Sequence, residues 1–310
     1  MTSGLITTQF GEFERPADRR PDWFWDNVPE SAELTVLRMT LDQSVVAGSL
    51  KDKRGRRGVG VWEVASGRFR WGRDWADAVR FAESSPMVVA FDDDRIGRYS
   101  WPEMTLVDEV GLVGYPPAET LALSPSERFA VVWQRHQGDA GCEVFALDGP
   151  IRRVAGGTSG DAWSMPAFSP SENLLACSTG SGDPWWTPDP EEWAEQWDEW
   201  LDVYYDECYI PSVGGRVRFG RLIIHDLQTG VGQQHTLEFD LPVGWRPELK
   251  NDRYDYWVYG ASGIEFLTDD RIRLRLPDDS TADLQLPLPD VVLLPTPEAA
   301  EEREDEDEDE

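Results

Sequence analysis

Five stretches of this chain share one pattern: LRMTLDQSVVAGS (37–49), VRFAESSPMVVAF (79–91), LALSPSERFAVVW (121–133), PAFSPSENLLACS (166–178) and IEFLTDDRIRLRL (264–276). Each sets a short apolar run, a polar turn rich in Ser, Asp or Pro, and a second apolar run in order, which is the grammar of a β-hairpin. Aligned on Met39, Phe81, Leu123, Phe168 and Phe266, the units stand 42, 42, 45 and 98 residues apart. A period in the low forties is the length of four short strands and their turns, so the chain is expected to be all-β and built from repeated four-stranded sheets.

A third run and a turn follow the hairpins: GVGVWEVASG (58–67), RIGRYSWPEM (95–104), CEVFALDG (142–149) and GRLIIHDLQTG (220–230). With these in place the chain resembles a divergent WD-repeat-type β-propeller. FSPSENLLACS followed by LIIHDLQTG is similar to that family's pattern, and VWEVASG echoes its third-strand ending. No repeat carries both the Gly-His and the Trp-Asp pair. The resemblance covers roughly residues 34–290 and implies a propeller of about five four-stranded blades, with six or seven as alternatives. The last spacing of 98 residues is read as one unit enlarged by insertions at 179–215 and 241–260. An open array would leave sheet edges bare, so a strand in the N-terminal segment 1–33, around LITTQFGEF (5–13), is expected to close the ring on the last blade. Residues 291–310, ending in EEREDEDEDE, have almost nothing to bury and strong self-repulsion, and are expected to be a disordered acidic tail.

The first insertion contains TPDPEEWAEQWDEWLDVYYDE (187–207). Asp189 suits an N-cap, Pro190 the first helical position, and Glu192 the third residue of a capping box. At about 100° per residue, Trp193, Trp197, Trp200 and Tyr204 share one stripe, while Glu195, Asp198, Glu199 and Asp202 take the opposite side. The spacing predicts an amphipathic helical insertion over 189–206, whose aromatic stripe either packs on its own domain or serves as a contact surface. Trp185 and Trp186 precede it. The blade order implied by the resemblance brings this insertion to the same face as the basic loop KDKRGRRG (51–58) and Arg135. The candidate binding residues are therefore Lys51, Arg54, Arg56, Arg57, Arg135, Trp185, Trp186, Trp193, Trp197, Trp200 and Tyr204.

One column of the repeat carries charge. Arg38, Arg80 and Glu265 precede the aligned apolar position in the first, second and fifth units. In a closed five-bladed ring they become neighbours near the channel, where a buried charge has to be paired.

The balance of 59 acidic to 29 basic residues, a formal net charge of −30, argues against nucleic acid or an anionic membrane surface as a partner and favours a cationic one. Cys142, Cys177 and Cys208 have no CxxC spacing and read as reduced thiols, so neither a metal nor a cofactor is expected. There is no run of about 20 apolar residues and no apolar signal core at the N-terminus, which makes the cytoplasm the expected compartment. No nucleophile elbow, phosphate loop or His-Glu-x-x-His motif occurs, and His225 beside Asp226 occupies a sheet position equivalent to the family's Trp-Asp. The resulting expectation is a non-catalytic scaffold that binds a protein or peptide through its insertion-bearing face. The alternative is a propeller hydrolase or lyase with carboxylates such as Asp183 or Asp189 at the channel mouth.

Overall fold

The computed structural model describes residues 4–16, 24–92, 95–112, 120–133, 142–156, 161–162, 165–180, 216–240, 263–276 and 280–294. The chain divides into two compact units, Met1–Val132 with Phe145–Arg152 and Trp133–Val144 with Arg153–Glu310. Described elements are strands and two short 3-10 turns; no helix among the described residues is long and apolar enough to cross a membrane. All-β character and repeated four-stranded antiparallel sheets are thus as the hairpin grammar requires.

In the first unit, β1 (Leu5–Thr8) and β2 (Gly11–Glu14) form a hairpin. β3 (Thr35–Met39), β4 (Val45–Lys51), β5 (Arg57–Glu63) and β6 (Phe69–Arg73) follow as a four-stranded sheet in that order. β7 (Val79–Phe81), β8 (Met87–Asp92), β9 (Arg95–Ser100) and β10 (Leu106–Gly111) make the second such sheet, again in sequence order. β11 (Thr120–Leu123), β12 (Phe129–Trp133), β13 (Cys142–Ala146) and β14 (Arg152–Ala155) make the third. Beyond it lie β15 (Asp161–Ala162), β16 (Ala167–Phe168), β17 (Leu174–Gly180), β18 (Arg216–Asp226) and β19 (Gly232–Asp240). β20 (Gly263–Thr268), β21 (Arg271–Arg275) and β22 (Thr281–Gln285) form a three-stranded sheet. Finally β23 (Val292–Leu294) returns to pair with β19.

The predicted hairpins appear with one recurrent turn. The second strand opens six residues after the aligned apolar position in the first four repeats and five after it in the last. Thr40, Ala82, Ser124 and Ser169 each donate their amide to the carbonyl five residues on, at Val45, Met87, Phe129 and Leu174. In three of these turns the hydroxyl of Thr40, Ser124 or Ser169 accepts the returning amide of Val45, Phe129 or Leu174. The same three turns close on a left-handed residue, Gln43, Glu127 or Glu172, with φ of 58°, 60° and 57°. The second turn has alanine where the hydroxyl should be, and it is completed from outside, as described below.

Alternation along β4 and β5 explains why both strands are buried end to end. Val45, Ala47, Val59 and Val61 face one way, against Val79, Val88 and Ala90 of the second sheet. Val46, Leu50 and Trp62 face the other way and are covered by the N-terminal segment through Ile6, Phe13, Phe24, Trp25 and Leu34. Phe13 stacks on Trp62 at 5.2 Å between centroids, and Trp25 meets Trp62 edge-on at 6.0 Å. Such a cover needs room: a Cβ on Gly58 would lie 2.3 Å from the Phe24 ring, and one on Gly60 2.0 Å from Trp62 Cη2.

Two boundaries differ from the sequence reading. The strand expected to close the last sheet instead folds back as β1–β2, with Ile6 and Phe13 fully buried on the first sheet; there the open face of Trp62 offers a large apolar surface. Among the described residues the β20–β22 sheet has no added strand. The tail expected to begin at 291 includes a strand, since Val292, Leu293 and Leu294 pair with Gln234, Gln233 and Gly232. Val292 and Leu293 are exposed, so it is the unpaired edge of β19 that recruits this segment, through backbone hydrogen bonds rather than burial.

Candidate binding surface

The basic loop is a rigid hairpin tip. Asp52, whose side chain is 0% exposed, accepts the amides of Arg54 and Arg56 at 2.9 Å each on Oδ1 and the Arg56 Nε at 2.7 Å on Oδ2. Gly55 takes φ of 84° and donates its amide to the Asp52 carbonyl, while Lys53 donates its amide to Asn27. Burial pushes the Asp52 carboxyl up, but the Arg56 side chain, the two amides and the Arg56 charge outweigh it, so its pKa is lowered. The carboxylate therefore stays charged and fixes the loop. Lys51, Lys53, Arg54, Arg56 and Arg57 are all exposed on this tip. Only Arg56 is ion-paired there, to Asp52; among the described residues no carboxylate pairs with Lys51, Lys53, Arg54 or Arg57.

A second feature lies at the turn between β7 and β8. Ala82 cannot supply the hydroxyl that organises the other turns, and the Glu127 carboxylate reaches over from the β11–β12 turn instead. It accepts the Glu83 amide, the Ser84 amide at 2.8 Å, the Ser84 hydroxyl at 2.6 Å and the Ser85 hydroxyl at 3.0 Å. Burial raises the Glu127 carboxyl pKa, and these hydrogen bonds more than reverse it, lowering it from 4.5 to about 2. Arg38 donates to the Ala82 and Ser85 carbonyls of the same turn and stacks over Trp101 at 5.6 Å. Its pKa is drawn down by burial and raised in part by Glu127. Beside this turn is a pocket of about 390 Å3 lined by Ser84, Ser85, Met87, Arg98, Tyr99 and Glu127 among others. Arg98 is held by a bidentate contact to Asp108 at 2.9 and 2.6 Å, and Tyr99 accepts from Arg73 at 3.2 Å. The polar lining is thus fixed before anything enters.

In the second unit Asp269 accepts the Ser171 amide at 2.9 Å, capping the turn of the preceding repeat as Glu127 does in the first. Sequence reasoning missed both. The available signal was the carboxylate at the fourth or third position after the aligned residue in the third and fifth repeats, which the turn motif disguises as ordinary turn polarity.

The charge column dissolves into local contacts. Arg80 donates to the Ala76 and Val79 carbonyls, with its pKa lowered by burial and raised in part by Asp77. Glu265 is exposed on β20 and sits opposite Arg273, which it attracts. Glu265 is not a buried carboxylate that demands Arg38 or Arg80, because a short sheet with alternating exposure turns position 265 to solvent. Arg135, Trp185, Trp186, Trp193, Trp197, Trp200 and Tyr204, with the expected helix and the carboxylates Asp183 and Asp189, lie outside the described residues.

His225 lies on β18 opposite Leu175, and Asp226 caps the following turn by accepting the Gln228 and Thr229 amides at 2.8 and 3.1 Å.

No protein-family model matches the chain. No curated protein matches it either. Among solved structures it is similar to a putative 6-phosphogluconolactonase from Bacteroides fragilis, at 12% identity and a TM-score of 0.34, over 68% of this chain and 54% of that one. It is similar to a eukaryotic initiation factor at 11% identity and a TM-score of 0.34, over 80% of this chain and 60% of that one. The chain therefore spans less than two thirds of the length of either.

Proposed function

We propose that this chain is a β-propeller of the WD-repeat-like kind that acts as a non-catalytic scaffold binding a protein or peptide. What carries the reading is the tip at 51–57. Four exposed cations stand on a backbone fixed by one buried carboxylate, and among the described residues no carboxylate of this strongly acidic chain pairs with them. Ordering the tip in advance reduces the entropy lost on binding. Salt screens charges beyond about 8 Å at physiological ionic strength, so the tip acts only at contact range. At longer range the net charge of −30 governs encounter. The partner that fits both is cationic overall and presents a local anionic group to the tip.

Support for binding over catalysis comes from the carboxylates. Among the described residues, Asp42, Asp52, Glu63, Glu127, Asp269, Asp270 and Asp283 have carboxyl pKa values displaced downward, each by hydrogen bonds or cations that hold it as an anion. A general acid needs the opposite shift.

Quantitative affinity capture from the native source tests the proposal with three baits: the wild-type chain, a Lys51→Ala/Lys53→Ala/Arg54→Ala/Arg57→Ala variant, and Asp52→Ala, which keeps the charges but frees the loop. Both variants should lose the wild-type partner several-fold, and raised salt should release it. An unchanged set of captured proteins across the three baits would refute the role of the tip. Solution scattering of the full chain separates a closed ring from an open array of sheets.

A further inference from the structure

Cys142 on β13, Cys177 on β17 and His225 on β18 meet in the interior of the second unit. Both cysteines are 0% exposed and reduced, and His225 is 1% exposed. Cys177 pairs with Ile223, and Leu175 with His225. By the two-residue alternation of a strand, the Cys177 thiol and the imidazole project from the same face of the sheet, one diagonal step apart. Gly232, opposite His225 on β19, clears the imidazole's slot: a Cβ there would lie 3.1 Å from Cε1 of His225 and 3.0 Å from Cβ of Leu294.

Two further observations point to chemistry. The Cys142 and Cys177 thiols are close enough to act on each other electrostatically. The imidazole of His225 is buried, and its partner is the Cys177 thiol; a buried ring nitrogen aimed at a thiol can take its proton. The Cys142 contact lowers the Cys177 thiol pKa, burial opposes that, and the nearby imidazole lowers it further. Cys142 moves the other way, raised by the same contact and by burial. Cys177, the thiol beside the imidazole, is thereby the more acidic of the two. The three side chains do not converge as ligands on one point, since no group of three His, Cys, Asp or Glu among the described residues could hold a metal ion.

We infer that Cys142 and Cys177 are a peroxide-responsive pair that closes to a disulfide, tying β13 to β17. Hydrogen peroxide, a molecule close to water in size, is the oxidant. His225 takes the Cys177 proton, and the thiolate sulfur attacks one peroxide oxygen. The O–O bond breaks, the expelled hydroxide takes the proton held by His225 and leaves as water, and Cys177 becomes a sulfenic acid. The Cys142 sulfur then attacks the Cys177 sulfur, the S–O bond breaks, and the departing hydroxide takes up a proton to leave as a second water. Two thiols and one peroxide give one disulfide and two waters, the sulfur pair losing the two electrons that peroxide gains. Because the thiols are fully buried, the rate follows local opening of the site rather than collision at the surface.

The test uses the full wild-type chain, exposed to graded hydrogen peroxide under native conditions and mapped by mass spectrometry without reduction. The expected product has lost two hydrogens, joins the peptide containing Cys142 to that containing Cys177, and reverts with dithiothreitol. A Cys208→Ser chain should behave identically. Cys142→Ser should stop at a sulfenic acid on Cys177 that a cyclic 1,3-dione captures, and His225→Gln should reach the same disulfide several-fold more slowly at pH 7. Absence of the Cys142–Cys177 linkage in the oxidised folded chain, a linkage through Cys208, or formation only in denaturant would each overturn the inference.

Discussion

Replacing Glu127 with Gln removes the charge that completes the β7–β8 turn while keeping the side-chain size. The Gln carbonyl oxygen can still accept the Glu83 and Ser84 amides and its NH2 can donate to the Ser84 and Ser85 hydroxyls, so what is lost is the ionic strengthening of all four hydrogen bonds. A carboxyl pKa lowered from 4.5 to about 2 corresponds to at most about 3 kcal/mol at 1.36 kcal/mol per unit. The group is half-buried, and solvent screening reduces this to about 1–2 kcal/mol. The sign follows from the direction of the shift. Because the folded carboxyl titrates below the unfolded one, its contribution is complete above pH about 4.5 and is lost as pH falls through about 2. Urea unfolding at pH 7.5 should therefore show Glu127→Gln lowering stability by about 1–2 kcal/mol, with a Tm drop of roughly 2–8 °C. Amide exchange in residues 82–87 should accelerate, and the gap to wild type should narrow between pH 5 and pH 3. A variant with the wild-type urea midpoint at pH 7.5, or a gap that stays constant down to pH 3, would refute the reasoning.

Two further substitutions probe the packing and the surface. Gly60→Ala should destabilise by about 2–3 kcal/mol in the same urea assay, because its Cβ would press on a Trp62 ring held between Phe13 and Trp25; a cost under about 0.5 kcal/mol would contradict that packing. Glu265→Ala should stay within about 0.5 kcal/mol of wild type, as expected for an exposed carboxylate, and a large loss would restore the case for a buried charge at this position.

Much of the architecture was legible because hairpins are local. A five-residue turn between two apolar runs leaves its mark in composition and spacing, and the aligned positions Met39, Phe81, Leu123 and Phe168 each end the strand that precedes such a turn. The basic tip was legible as charge, but not its rigidity, which rests on Asp52 being buried beneath it. Glu127 reads in the sequence as one more polar turn residue. Its role depends on the alanine 45 positions earlier in the chain, at Ala82, and on the two turns being adjacent.

By itself, then, the sequence determined the strand content, the repeated hairpin, the placement of the first turn residues and the overall charge, all of which follow from short-range patterning. Tertiary structure decided where the unpaired surfaces went. The open face of Trp62 drew the N-terminal strands onto the first sheet, the bare edge of β19 drew β23 out of the acidic tail, and alternation turned Glu265 outward while burying His225 beside Cys177. Each outcome is set by competition among distant segments for one apolar face or one row of backbone hydrogen bonds, and local sequence does not encode the winner.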